Sequence, residues 1–186
     1  MKTKLKDQRL AFIDTETSGL DPTVHEILEF AVQFEGASPV HFKIRPRRID
    51  KAEPKALEVN GYKPENWLDA LEPEVAAQQI AEWLKDCVIV GHNVGFDMSF
   101  IKAFLKEMNV EAKIGYHLID TVTLAYEHLV PCGLESLSLK NVCLFLGIPP
   151  EPDVHEAANG ALKVQAVYSN LVRATWWDRL GWKILK

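Results

Sequence analysis

Cysteine is scarce in this chain, and its three thiols, Cys87, Cys132 and Cys143, are odd in number and form no C-x-x-C pair. That excludes a disulfide framework and a cysteine-built zinc site, and reads as buried or incidental thiols in a reducing compartment. Long apolar runs are absent as well. The basic start, Met1 to Arg9, is followed by no stretch long enough for an ordinary signal peptide or a membrane span, so the expectation is a cytoplasmic protein with no membrane partner. Excess positive charge is missing too. There are 21 Lys and Arg against 26 Asp and Glu, a net charge of -5, which speaks against holding nucleic acid by bulk charge. No repeat, low-complexity tract or domain boundary interrupts the pattern. With 186 residues, 47% of them hydrophobic, the chain has material for one well-buried domain over 1–186, its core spanning about 9–173 and a Trp-rich tail following at 174–186.

What the chain does concentrate is acid at the end of an apolar run. Leu10 to Ile13 reads as a buried strand, and Asp14-Thr15-Glu16-Thr17-Ser18-Gly19-Leu20 leads from it into an Asp21-Pro22 turn. Side chains two apart on an extended chain share a side, about 7 Å apart along the backbone. Two carboxylates that close raise each other's pKa unless a cation lies between them, so the pair reads either as a solvated strand end or as a divalent-metal site. With oxygen donors alone, such a site favours Mg²⁺ or Mn²⁺ over Zn²⁺. A basic stretch, Lys43, Arg45, Arg47, Arg48, Lys51 and Lys55, reads as a solvated face or as a local nucleic-acid contact.

The rest alternates strands and helices. Ile27 to Phe34 and Val40 to Pro46 follow the first strand through short turns, so the three make an antiparallel meander. Arg47 to Pro73, with scattered Pro and Gly, reads as a surface excursion carrying short helices around Ala52 to Val59 and Glu65 to Leu71. A helix opens at Pro73 and runs to about Asp86, and Cys87 to Gly91 is a short, wholly apolar, central strand. Phe96, Phe100, Ile101, Phe104, Leu105 and Met108 recur at helical spacing; Asp97 falls in that helix's first turn, where the dipole favours a carboxylate. Tyr116 to Thr121 is another strand, ending in Asp120 and Thr121. Helices follow over Val122 to Leu129, Leu137 to Leu146, and from about His155 to Val172.

The acids and His155 fall at strand ends and helix starts, where open α/β sheets place their sites. There the chain resembles the DEDDh 3′-to-5′ exonucleases, the group of the proofreading subunit of bacterial DNA polymerase III. Phe12-Ile13-Asp14-Thr15-Glu16-Thr17-Ser18-Gly19-Leu20 is similar to the family's first motif and Val90-Gly91-His92-Asn93-Val94-Gly95-Phe96-Asp97 to its second. Pro54 to Gly61 resembles a segment the family carries between these two, and Ile119-Asp120-Thr121 and the segment from His155 resemble later ones. The resemblance implies an α/β, RNase-H-like fold: a mixed five-stranded sheet, three antiparallel strands and then parallel ones, flanked by helices. It implies hydrolysis of phosphodiesters from the 3′ end of single-stranded nucleic acid, releasing nucleoside monophosphates, with two divalent ions, Mg²⁺ or Mn²⁺. Asp14, Glu16 and Asp97 would hold the metals, and His155 would be the general base, a task suited to an imidazole. Thr17, Gly19, Leu20, Asn93 and Phe96 would meet the terminal nucleotide, although Leu20 and Phe96 also read as core.

The third motif departs from the family. Where an Asp is usual, five residues after the His, this chain has Gly160, preceded by Asn159. Asp153, Glu156 and Asn159 are the neighbours that could stand in, and an added carboxylate, Gly160→Asp, is expected to raise activity or lower the metal requirement. The departure keeps a second class open: a catalytically weakened member that binds nucleic-acid ends or a polymerase or repair partner. A plain acidic α/β domain is a third reading. The tail with Trp176, Trp177 and Trp182 reads as packed on the domain or as a partner surface. DNA or RNA preference and oligomeric state stay open.

Overall fold

In the computed structural model, which describes residues 8–150, 152 and 154–173, the first three strands pair as the alternation predicts. β1 (Leu10–Thr17), β2 (Ile27–Phe34) and β3 (Val40–Lys43) form an antiparallel meander. β4 (Val88–Gly91) joins β1 in parallel and β5 (Leu118–Asp120) joins β4, giving the order β3-β2-β1-β4-β5. The mixed five-stranded sheet expected of an RNase-H-like fold is therefore present. Among the described residues it is flanked by α1 (Pro54–Val59), α2 (Pro73–Trp83), α3 (Val94–Glu107), α4 (Thr121–Leu129), α5 (Leu139–Phe145) and α6 (Ala157–Arg173). None of these helices is long and apolar enough to cross a membrane.

Two helical layers cover the sheet because its strands are apolar on both faces. On one side Ile13, Phe30 and Val32 pack against Ile80 of α2 and Phe100 and Ile101 of α3. On the other, Phe12 and Val90 meet Val164 of α6, and Ala31 meets Ala157 and Ala161. The run of small residues at the start of α6 lets that helix lie close to β1 and β2. The three cysteines are buried and form no disulfide, as their spacing predicts.

Several boundaries differ from the sequence reading, each for a tertiary reason. β1 does not stop at Ile13 but continues to Thr17, because β2 pairs with it from Ala11 to Thr17 while β4 pairs only as far as Phe12. The acids thus lie inside a strand whose second edge is open past the end of β4. The helix expected over Glu65 to Leu71 shortens to a single 3-10 turn, Pro64–Trp67, and does not reach Leu71. Instead Leu71 bridges Ile44, its N–H donating to Lys43 O (2.9 Å) while Arg45 N–H donates to Leu71 O (2.9 Å). The excursion is also not all surface: Trp67 and Ala70 are buried on Leu28, and Trp67 Nε1 donates to the Leu28 carbonyl at 3.2 Å. Long-range burial has overridden local propensity here.

Candidate active site

Asp14 and Glu16 project from the same face of β1 as Phe12, the face covered by α6. Both are half-buried. Across the ladder Asp14 stands opposite Ala31 and Glu16 opposite Glu29. α6 approaches so closely that a Cβ built on Gly160 would overlap the Asp14 carboxylate, whose Cγ lies 2.5 Å from it. Position 160 therefore faces the acid pair, and the Asp14 carboxylate fills the space that any side chain there would need.

Asp97 reaches the same strand from the open edge. It sits in the first turn of α3, only 4% exposed, and accepts a 2.7 Å hydrogen bond at Oδ1 from the Thr15 hydroxyl. Burial pushes its carboxyl up to about 7, against the pull of the Thr15 hydroxyl and the Asp97 and Thr15 amides, with the nearby Asp120 charge adding to the rise. The turn ahead of α3 is fixed by its neighbours. Asp120 Oδ1 accepts from Asn93 N and Val122 N, both at 2.9 Å, and so caps α4 while holding Asn93 in a left-handed conformation, φ 64°. His92 bonds Thr121 Oγ1 (2.9 Å) and Leu137 O (2.7 Å), and burial lowers its pKa, which favours a neutral ring.

His155 is half-buried just ahead of α6, and its backbone N–H donates to Val59 O at 3.0 Å. The start of α6 is also tied to β2: Ala157 N–H donates to Glu29 Oε2 at 3.3 Å. Glu29, 3% exposed, has its pKa raised chiefly by burial, partly offset by that amide and by Lys43, 3.7 Å from its Oε1.

The substrate candidates divide. Leu20 is 72% exposed and Asn93 is exposed, so both are open to a ligand. Thr17 is buried with its hydroxyl donating to Gly19 O at 2.7 Å, and Phe96 is half-buried with its ring 4.9 Å from that of Phe100. Of the possible stand-ins for a fourth acid, Asn159 donates to Glu156 Oε2 at 3.3 Å on the exposed surface of the helix start, and Asp153 lies outside the described residues, as does the Trp-rich tail. The basic stretch is neutralised in place. Arg45, Arg47 and Arg48 pair with Glu72, Glu74 and Glu107 at 2.9, 2.7 and 2.6 Å. Lys43, Lys51 and Lys55 each have an acid within 3.7 Å. This favours the solvated-face reading over a nucleic-acid contact.

Sequence reasoning passed over Thr15 and Glu29. An acid inside the largely apolar β2 was the available signal for Glu29; nothing local marked Thr15. Among the described residues no three His, Cys, Asp or Glu side chains are gathered tightly enough to hold a metal ion. The chemistry of the donors still fits a hard divalent cation: Asp14 and Glu16 offer oxygen only, and a cation beside Asp97 would favour ionising a carboxyl whose pKa burial raises.

A family model described as Exonuclease matches residues 11–167. PolC-type DNA polymerase III of Mycoplasma pneumoniae is 32% identical over 149 residues, 76% of this chain but only 10% of that protein. Ribonuclease T of Shewanella sp. W3-18-1 is 28% identical over 198 residues, 93% of this chain and 85% of that one. Among solved structures, the zinc-bound form of E. coli exonuclease I with single-stranded DNA superposes with a TM-score of 0.74 at 20% identity, over 94% of this chain and 42% of that chain. The chain thus spans a tenth of that polymerase's length and under half of exonuclease I.

Proposed function

Because the chain belongs to the exonuclease family, we propose that it is a metal-dependent 3′-to-5′ exonuclease that shortens single-stranded nucleic acid, DNA in preference to RNA, one nucleoside monophosphate at a time. The observation that carries this reading is the acid pair of β1 facing the start of α6, with His155 two residues ahead of Ala157 and Asp97 bound to the intervening Thr15. Asp14, Glu16 and Asp97 are the residues to hold divalent ions, two of them and Mg²⁺ or Mn²⁺ by the hardness of the donors. Such ions would supply positive charge to the scissile phosphate. His155 takes the proton of the attacking water. The water oxygen bonds to phosphorus, and the 3′-oxygen of the penultimate nucleotide leaves with the electron pair and is protonated by solvent. Leu20 stands beside the acid loop as an apolar surface for the terminal base, a sequence-tolerant contact.

Thr17, Gly19, Asn93 and Phe96 shape the loop walls around that base in the same reading. We further read the chain as one domain over 1–186, working in the cytoplasm, alone or beside a polymerase or repair partner. Gly160 favours a second reading, in which the chain binds 3′ ends without cutting them, since it leaves one corner of the site without a carboxylate. A gel assay decides between them. With 5′-labelled DNA and RNA oligonucleotides, the expected result is a ladder shortening from the 3′ end in Mg²⁺ or Mn²⁺, absent in EDTA, and reduced at least ~10²-fold in Asp14→Ala. Gel-shift binding of 3′ ends by folded protein, with no ladder in any metal, would establish the second reading instead.

A further inference from the structure

One short segment touches both halves of the site. Glu53 to Gly61, which contains α1, is fastened to the end of β1 at two points. Glu53 N–H donates to Ser18 O at 2.8 Å, and the Asn60 side chain donates through Nδ2 to Thr17 O at 3.1 Å. The same segment carries the approach to α6. Val59 O accepts from the His155 N–H at 3.0 Å. Gly61, at φ +62°, lies under Val154 so closely that a Cβ there would meet Val154 Cγ1 at 2.7 Å.

Asn60 is the residue these contacts turn on. It is 4% exposed and caps the C-terminal end of α1, its own N–H donating to Ala56 O at 3.1 Å. Its Oδ1 accepts from Tyr62 N at 3.1 Å while Nδ2 serves Thr17. The β1–β2 register shifts between Glu16 and Thr17, so the Asn60 amide braces the strand where its pairing is irregular. Only an amide side chain of this length donates and accepts in these two directions. An aspartate would set oxygen against the Thr17 carbonyl, and an alanine would leave buried partners unmade.

We infer that Asn60 is a positioning residue: through Val59 and Gly61 it sets where His155 stands relative to the Asp14 and Glu16 strand. The inference rests on the reading of His155 as the proton acceptor. Its contact half is tested without activity, by amide hydrogen exchange of the full chain. In Asn60→Asp, protection of the His155 amide is expected to fall at least tenfold while Ala77 and Ile80 in α2 keep theirs. Asn60→Ala, which leaves the Thr17 carbonyl and the Tyr62 amide without their partner, should do the same, and stands in if Asn60→Asp does not fold. The functional half is a double-mutant cycle on the oligonucleotide assay. Asn60→Asp is expected to lower kcat at least tenfold with KM within twofold, and to lower kcat less than twofold further in a His155→Gln background. Unchanged His155 protection, or equal losses in both backgrounds, overturns the inference. If the wild type cuts nothing, the exonuclease reading fails, while the exchange result still decides whether Asn60 holds His155 in place.

Discussion

Glycine inside a helix is ordinarily a weakness, about 1 kcal/mol worse than alanine, and at position 160 the Asp14 carboxylate works against that rule. Gly160→Ala is expected to gain less than that ~1 kcal/mol in urea unfolding, because the Asp14 carboxylate must turn aside to admit the methyl. Gly160→Asp adds a like charge to the same clash. Its melting temperature should fall in EDTA and recover with Mn²⁺ by more than the wild type gains; no larger gain would mean that position 160 does not face a cation. Asp97 carries the pH dependence. Its carboxyl is pushed up to about 7 in the fold, against about 4 in an unfolded chain. Between those values the folded state holds the extra proton, so stability declines as pH rises from about 4 to about 7 and levels off above. Asp97→Asn keeps an acceptor for Thr15 and removes the titration. In EDTA its stability relative to wild type should therefore improve by about 1 to 3 kcal/mol between pH 5 and pH 8, one pKa unit being about 1.4 kcal/mol. Equal urea midpoint differences at both pH values would show Asp97 ionised throughout.

Helix α6 is placed by contacts along its first turn. Ala157 and Ala161 pack on Ala31, Gly160 on Asp14, and the Ala157 N–H is taken by Glu29, a buried acid at the helix's positive end. Glu29→Gln retains an acceptor for that amide, whereas Glu29→Ala leaves it buried and unmet. The alanine variant should lose about 1 to 3 kcal/mol in urea unfolding and the glutamine variant less than 1 kcal/mol. A larger loss in the glutamine variant would assign the effect to the Lys43 charge pair, 3.7 Å away. The turn between β4 and α3 is held in the same manner from outside, by Asp120 and Thr121 at the start of α4. Two elements distant in sequence thus fix the geometry of a third that carries Asp97.

At the scale of the molecule, one sheet lies between two helical layers, and its two faces carry different chemistry: apolar core against α2 and α3, acids and small residues against α6. If residues 1–186 act as one domain, urea unfolding followed by tryptophan fluorescence and by far-ultraviolet circular dichroism should give coincident transitions; separated midpoints would divide the chain. Much of this architecture was legible in the sequence. Alternation, apolar runs and helical spacing are local properties, so they gave the five strands, the antiparallel meander of the first three and the α3 face; the parallel pairing of β4 and β5 and the choice of Asp14, Glu16, Asp97 and His155 as a site came from the family resemblance. They did not give the buried Trp67, the length of β1 or the bridge that Leu71 makes where a helix was expected to continue, since each depends on pairing with residues far along the chain. By itself the sequence determined which acids the chain carries, on which elements, and that position 160 is a glycine. Only the tertiary structure decided that Thr15 binds Asp97 from 82 residues away, that Asn60 braces Thr17, and that the Asp14 carboxylate lies against Gly160. Periodicity assigns a side chain to a face; the close packing of one element on another determines what that face meets.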